Sequence, residues 1–356
     1  MSERGIGFLP HALWRHSCFI RFNTVLMALA SICGYRFTMH PKPDQSPAPA
    51  VVPAAPAQAE GWSERGLGQN WQHRFFHRVI RALGKRPAYH VAYFVVFWYV
   101  LTSRSVRART RFYLDRRFPA HRGFLRRFLD TYRLVCAFSQ TLIDMAAVRI
   151  LGPHALAVDP VHHDRFMQLC ATESGVVLLN AHVGCWQVGL STLCSLGKHA
   201  CVVMIPEPGT QAFLDQTAAS VIDPRTGLQS VLEITQALLN GQVVSLMGDR
   251  AFGDEQNVVM ARFLGRDVAF PLAPYRVASA TGAPIGVMMA PKVGFRSFEM
   301  RLVRVIRVPP NLGRNPRNYV PYAQQFADCL EQFVCEFPWQ FYNFYDLWLS
   351  PTKGTP

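Results

Sequence analysis

The segment 175–189, GVVLLNAHVGCWQVG, sets the terms for the rest of the chain. Val176, Val177, Leu178 and Leu179 form an apolar run with no polar break, the pattern of a buried strand. The run stops at Asn180. His182 and Gly184 follow, and the apolar stretch that begins at Trp186 reads as a helix. Open α/β sheets place their chemistry beyond the carboxyl ends of strands, where a helix begins. His182 falls at such a point. The competing reading is a core histidine at a turn.

From 175 onward the pattern alternates. Strands are expected at 175–180, 201–205, 243–247, 284–290 and 298–306. Helices are expected at 185–196, 210–220, 228–240 and 272–281, with a final helix at 319–337. Alternation of this kind predicts an α/β fold, a mixed and mostly parallel sheet flanked by helices. A second polar group, Gly248-Asp249-Arg250, follows the strand at 243–247. It too lies at a carboxyl strand end, so the two groups can share one crevice. Arg250 has the chemistry to clamp a phosphate or carboxylate. The alternative is an Asp–Arg pair on a surface turn.

The formal charge of the chain is +14. Between Gln72 and Arg127 fourteen Lys/Arg face one acidic residue, Asp115, so that window carries nearly all of it. The window also holds a basic amphipathic helix at 71–83 and the uncharged run AYHVAYFVVFWYVL at 88–101, with Arg104, Arg107, Arg109 and Arg111 directly after. The run is shorter than the roughly 20 residues a spanning helix needs. Its Tyr, Phe and Trp suit a membrane interface. We expect a helix dipping into one leaflet with its arginines on anionic headgroups. The alternative is a core helix beside a solvated basic face. No zinc finger, helix-turn-helix or RNA-binding aromatic signature accompanies the basic block, so nucleic acid is not expected as a partner.

A long amphipathic helix is expected over 121–151. Ahead of the basic block, 39–61 is a Pro/Ala-rich disordered linker. The first 38 residues are an uncertain extension, with Met39 as an alternative start. The expected organisation is therefore 1–38 extension, 39–61 linker, 62–151 basic membrane-associated helical region and 152–350 α/β domain. The nine cysteines form no CxxC pair and no metal-ligand spacing, and they read as buried free thiols in a reducing compartment. His162, His163 and Asp164 are adjacent, which makes a poor metal site. No metal and no cofactor are expected. Nucleophile-elbow, P-loop and dinucleotide fingerprints are absent, which removes support for hydrolase, NTPase and oxidoreductase readings.

His182, Gly184, Cys185, Trp186 and Gln187 resemble the HX4(D/E) block of bacterial lipid A acyltransferases, a lauroyl/myristoyl-type family in the lysophospholipid acyltransferase superfamily. That block runs roughly H-x-G-N-W-E. Cys185 stands here for the asparagine and Gln187 for the carboxylate. Three more blocks match in order. Gly248-Asp249-Arg250 is similar to the family's block for donor or acceptor polar groups. Phe263-Leu264-Gly265-Arg266 through Pro271 resembles a segment that lines the acyl groove. The aromatic stretch 338–348 resembles the near-terminal signature. The match leans toward a branch acting on glycolipids or polyene-type lipids.

The resemblance implies a glycerolipid acyltransferase-like fold and a membrane-associated N-terminal region. It implies transfer of a fatty acyl chain from acyl carrier protein, or coenzyme A, to a hydroxyl of a glycolipid or related lipid, on the cytoplasmic face of a bacterial inner membrane. His182 is the expected general base, oriented by Gln187 or by Asp249. Arg250, Gly184, Trp186, Phe263, Gly265 and Arg266 are the expected substrate-binding residues. The backbone amides after Gly184, or Arg250, are the expected oxyanion donors. Gln187 can accept a hydrogen bond but carries no charge. Three readings stay open: Asp249 substitutes for the carboxylate, the enzyme is slow, or the chain is a lipid- or carrier-binding pseudoenzyme. An acyl-cysteine step at Cys185 is a remote fourth.

Overall fold

The computed structural model of the chain describes residues 70–348, apart from 122, 160, 162, 172–174, 187–198, 207–218 and 252–256. The expected extension and linker, most of the helix at 185–196 and nearly all of the helix at 210–220 lie outside the described residues.

Six strands form the central sheet, in the order β10 (Arg301–Ile306), β8 (Ile285–Met289), β2 (Val176–Asn180), β5 (Val243–Met247), β3 (Ala200–Val203) and β4 (Ser220–Ile222). All neighbours are parallel except β10, which runs antiparallel to β8. Every residue of β2 and β8 is buried, as their unbroken apolar sequences require. This is the mixed, mostly parallel sheet that the alternation predicts. Helices α6 (Leu228–Leu239), α7 (Ala273–Thr281) and α8 (Val320–Glu336) fall close to their expected bounds.

Three details differ from expectation. Ser220, expected to end a helix, opens β4 instead. The strand expected at 298–306 is two strands, β9 (Ser297–Glu299) and β10, because β9 leaves the main sheet to pair with β1 (Ala157–Asp159). The stretch expected only to line a groove is the second half of a hairpin, β6 (Val258–Phe263) and β7 (Arg266–Pro271). Val259, Ala261 and Phe263 alternate inward while Met260 and Arg262 face out. Leu264 and Gly265, with φ of 48° and 78°, make its turn.

Ahead of the sheet lie α1 (Asn70–Leu83), α2 (Lys85–Thr102), α3 (Arg104–Arg117) and α4 (Phe124–Leu151). Gly84, at φ 77°, separates the first two. Ser103 ends α2 and caps α3, its hydroxyl accepting from the Val106 amide at 3.4 Å. Arg107 reaches back to the Val100 and Leu101 carbonyls at 2.6 and 2.8 Å, a cation on the C-terminus of α2. Helix α2 has two apolar faces. Ala88, Ala92, Val95, Val96 and Tyr99 pack inward at helical spacing, while Phe94, Phe97, Trp98 and Leu101 point out, 41–65% exposed. The inward face is that of a core helix, and the outward face is apolar and exposed. The outer face continues onto α4 through the Phe97–Phe128 ring contact at 5.7 Å, toward exposed Phe124 and Leu125. By length and composition α4 alone among the described helices is apolar enough to cross a membrane, but its most apolar stretch is 67% buried inside the protein. Its buried side chains belong to one continuous core that runs from Phe76 in α1 through the sheet to Leu347. A second, smaller cluster packs the other sheet face against Phe166 and Leu169 of α5 (His163–Cys170).

Candidate active site

Strands β2 and β5 are adjacent, parallel and in register, with Asn180 opposite Met247. His182 and Asp249 each lie two residues past that pair, so the two strand ends deliver them side by side. The Gly248 amide donates to the Asn180 carbonyl at 2.7 Å, which holds the two chains together where they leave the sheet. Gly248 gives the close fit, since a Cβ would stand 2.8 Å from the Leu179 and Phe326 side chains and one or both would have to shift.

The Asp249 carboxylate accepts from His182 twice. Its Oδ1 is 2.8 Å from Nδ1, and its Oδ2 is 3.1 Å from the His182 amide nitrogen. Asp249 is fully buried and His182 is 9% exposed. A carboxylate only accepts, so the proton between them belongs to Nδ1 and the lone pair of the neutral ring lies on Nε2. Burial pushes the His182 pKa below its ordinary value, the Arg250 charge pushes the same way, and Asp249 opposes both without prevailing. Burial raises the Asp249 carboxyl, but the charges and hydrogen bonds of His182 and Arg250 outweigh it and hold that group below the usual carboxylate range. The pair rests as neutral imidazole beside ionised carboxylate, which is the state a general base needs. The Trp186 ring meets the His182 ring edge to face at 5.8 Å.

The loop carrying His182 is fixed from three sides. The Gly184 amide donates to the Gln340 carbonyl at 2.9 Å, the Cys185 amide to the Ala290 carbonyl at 2.8 Å, and the His182 carbonyl accepts from Tyr342 at 2.8 Å. Gly184 sits at φ 53°, and a Cβ there would fall 2.0 Å from the Ala290 oxygen. These bonds narrow one expectation: the Cys185 amide, the first after Gly184, is committed to a carbonyl, as is that of Gly184 itself. Cys185 is fully buried, which leaves no opening for an acyl-cysteine step.

Arg250 spans Tyr342, to whose carbonyl its Nη2 donates at 3.0 Å, and Tyr345, whose ring lies 5.6 Å from the guanidinium carbon. The Tyr345 hydroxyl reaches the Asp249 carbonyl at 3.5 Å. The terminal aromatic segment is thus a wall of this site, which the sequence showed only as a family signature. Phe263 is fully buried and lies one ring further out, packed on Phe341, which itself bridges Val183. Gly265 and Arg266 sit at the hairpin turn, where the hydrogen bonds run to α8: Leu264 to Glu331 and Arg262 to Gln324. Nothing in these contacts brings Gly265 or Arg266 to the dyad. Gln187 lies outside the described residues, as does Cys194. Cys136, Cys170, Cys185, Cys201 and Cys329 are buried free thiols, whereas Cys335, against expectation, is exposed. Among the described residues no three His, Cys, Asp or Glu are grouped closely enough to hold a metal ion.

No curated protein matches the sequence. Among solved structures it is similar to the 1-acyl-sn-glycerophosphate (LPA) acyltransferase PlsC from Thermotoga maritima, at 12% identity and a TM-score of 0.34, over 71% of this chain and 98% of that one. The family model for bacterial lipid A biosynthesis acyltransferases matches residues 65–350, which takes in both strand ends, the hairpin and the aromatic wall, and the chain belongs to that family.

Proposed function

We propose that the chain moves a fatty acyl group from an acyl carrier protein thioester, or less favourably a coenzyme A thioester, to a hydroxyl of a glycolipid or related lipid. The Nδ1–Asp249 hydrogen bond carries this reading. It supplies, from the next strand, the carboxylate that position 187 lacks. In the proposed cycle the acceptor hydroxyl attacks the thioester carbon while its proton passes to His182 Nε2. Asp249 stabilises the imidazolium that forms, as the aspartate does in a Ser-His-Asp triad, though no protein nucleophile is used. The tetrahedral oxyanion faces Arg250, a cation whose charge already acts on both members of the dyad. Collapse breaks the C–S bond, and the departing thiolate takes the proton back from His182. The Asp249 pairing favours transfer over the pseudoenzyme reading, whose ground was the missing charge at 187.

The same proposal places the protein on the cytoplasmic face of an inner membrane. Phe94, Phe97, Trp98, Leu101, Phe124 and Leu125 form the inserted face, and exposed Arg104 and Arg126 flank it for anionic headgroups. The basic helices also suit an acidic carrier protein. The test is transfer of labelled acyl groups from carrier-protein thioesters to lipid in bacterial membranes, wild type against His182→Ala. Label should enter lipid with the wild type and not with the variant. No transfer by the wild type over a broad set of chain lengths, or transfer that survives His182→Ala, would sink the reading.

A further inference from the structure

Behind the catalytic loop lies a second buried polar centre. The Asp144 carboxylate, fully buried in α4, accepts from Lys85 at 2.9 Å, from the Tyr89 hydroxyl at 2.5 Å and from Lys292. Lys292 also donates to the Tyr89 hydroxyl at 2.6 Å, and Lys85 to the Phe295 carbonyl at 2.7 Å. The side chains of Lys85 and Lys292 are only 7% and 10% exposed. One lysine would neutralise Asp144. The second leaves an excess positive charge in a dry place, which is unfavourable without a further anion. Two more cations stand close: Arg86 over the Phe295 ring at 5.1 Å, and Arg296 near enough to Lys85 to help depress its pKa after burial has done so. Among the described residues Asp144 is the one carboxylate hydrogen-bonded to either lysine.

Lys292 lines a cavity of ≈ 350 Å³. That cavity adjoins a groove of ≈ 620 Å³, the two sharing Tyr93, Ala137, Gln140 and Gln340 as walls. Away from Lys292 the groove runs between Cys136, Phe337 and Trp339, with the Arg133 guanidinium over the Trp339 ring at 5.5 Å. Its far end holds Glu336, which is already paired with Arg301 and would repel an anion. The double cavity therefore has one buried cationic end, at Lys292, and a largely apolar length whose outer rim carries the exposed Arg133 beside Glu336. Neither part is lined by His182 or Asp249.

We propose that this double cavity binds a single-chain lipid phosphate, with the phosphate on Lys292 and the chain between α4 and 337–339. A phosphate monoester carries about −1.5 to −2 charges and accepts through three oxygens, which matches the surplus of cations better than a lone carboxylate would. The proposal does not depend on the transfer chemistry. The wall is nevertheless tied to the catalytic loop: the Gln340 side chain pairs with both backbone groups of Lys292 at 2.8 Å, and its carbonyl accepts the Gly184 amide. Binding, not turnover, is therefore the right readout.

The test uses the full chain carrying His182→Ala in dodecyl maltoside, with radiolabelled dodecyl phosphate as the probe in equilibrium dialysis at fixed detergent. The neutral detergent supplies the same chain in excess, so retained label reports the phosphate. One probe should bind per chain, with inorganic phosphate displacing it only at about a hundredfold higher concentration. Lys292→Gln and Ala137→Phe should each weaken binding about tenfold or more. Ala137→Phe fills the shared wall and leaves the charge cluster intact, so it decides alone if Lys292→Gln fails to fold. Binding unchanged by Ala137→Phe, or inorganic phosphate competing as well as dodecyl phosphate, would overturn the proposal, and neither result would bear on acyl transfer at His182.

Discussion

Asp249→Asn is the sharpest test of the dyad. The substitution keeps the shape but removes the charge and one of the two acceptor oxygens, in a side chain that is fully buried. An imidazolium and a carboxylate with charge centres about 4 Å apart attract by about 4 kcal/mol at the effective dielectric that suits protein sites. That energy is gained only when His182 takes the proton, so it acts on the barrier, and 4 kcal/mol is about 10³-fold in rate. The loss is deepened because a protonated His182 would then face the Arg250 charge alone. The amide can also turn its NH₂ toward Nδ1 and impose the wrong tautomer, which in the serine-protease triad contributes to a loss of about 10⁴-fold. We expect kcat for acyl transfer to fall by about 10³-fold while the fold persists, with a melting temperature lowered by a few degrees for the buried acceptor that is lost. Gln187→Ala in the same assay should cost no more than about tenfold, because the carboxylate role is already filled. The reasoning is refuted if Asp249→Asn keeps activity within tenfold while Gln187→Ala abolishes it, for then the orienting partner is at 187.

Three further outcomes follow from the geometry. The base must be neutral to act, and burial and Arg250 lower its pKa, so the acid limb of kcat/KM should be centred below the ordinary imidazole value of 6.5; an acid limb centred above pH 7 would contradict the environment described. Gly184→Ala puts a Cβ 2.0 Å from the Ala290 oxygen at a left-handed φ and should cost at least about 2 kcal/mol, read as a fall of several degrees in melting temperature together with loss of transfer. A melt identical to wild type would mean the loop is not packed on residue 290. Phe94→Ser with Trp98→Ser removes two exposed aromatic side chains from the outer face of α2, and binding to anionic vesicles should weaken by about tenfold or more while the fold persists; vesicle affinity equal to wild type would remove this face from the membrane.

Much of the site was legible because parallel sheets announce their strand ends. The apolar runs at 176–179 and 243–247 stop at polar groups, and those groups are the dyad. What the sequence could not supply was strand order. Only the pairing of β2 with β5 in register makes His182 and Asp249 neighbours across 67 positions, and without it attention falls on Gln187, five residues along. The oxyanion expectation narrowed for a related reason. A helix start usually has amides to spare, but here the Gln340 and Ala290 carbonyls, from segments far along the chain, take those of Gly184 and Cys185. The β6–β7 hairpin was available in the alternation of Val259, Ala261 and Phe263 around the Leu264-Gly265 turn, and was obscured by reading that block as a motif. The lysine centre had no local signal at all. Asp144 meets Lys85 and Lys292 across 59 and 148 positions, and each residue alone looks like an ordinary charge on an amphipathic element. Helix α2 shows the opposite limit. Its sequence is apolar all round, and that composition does not say which face is packed; only packing against α4 separates a buried face from an exposed one, with Tyr99 turned in and Trp98 turned out. Periodicity finds elements and their ends, whereas partners drawn from elsewhere in the fold decide what each end can do.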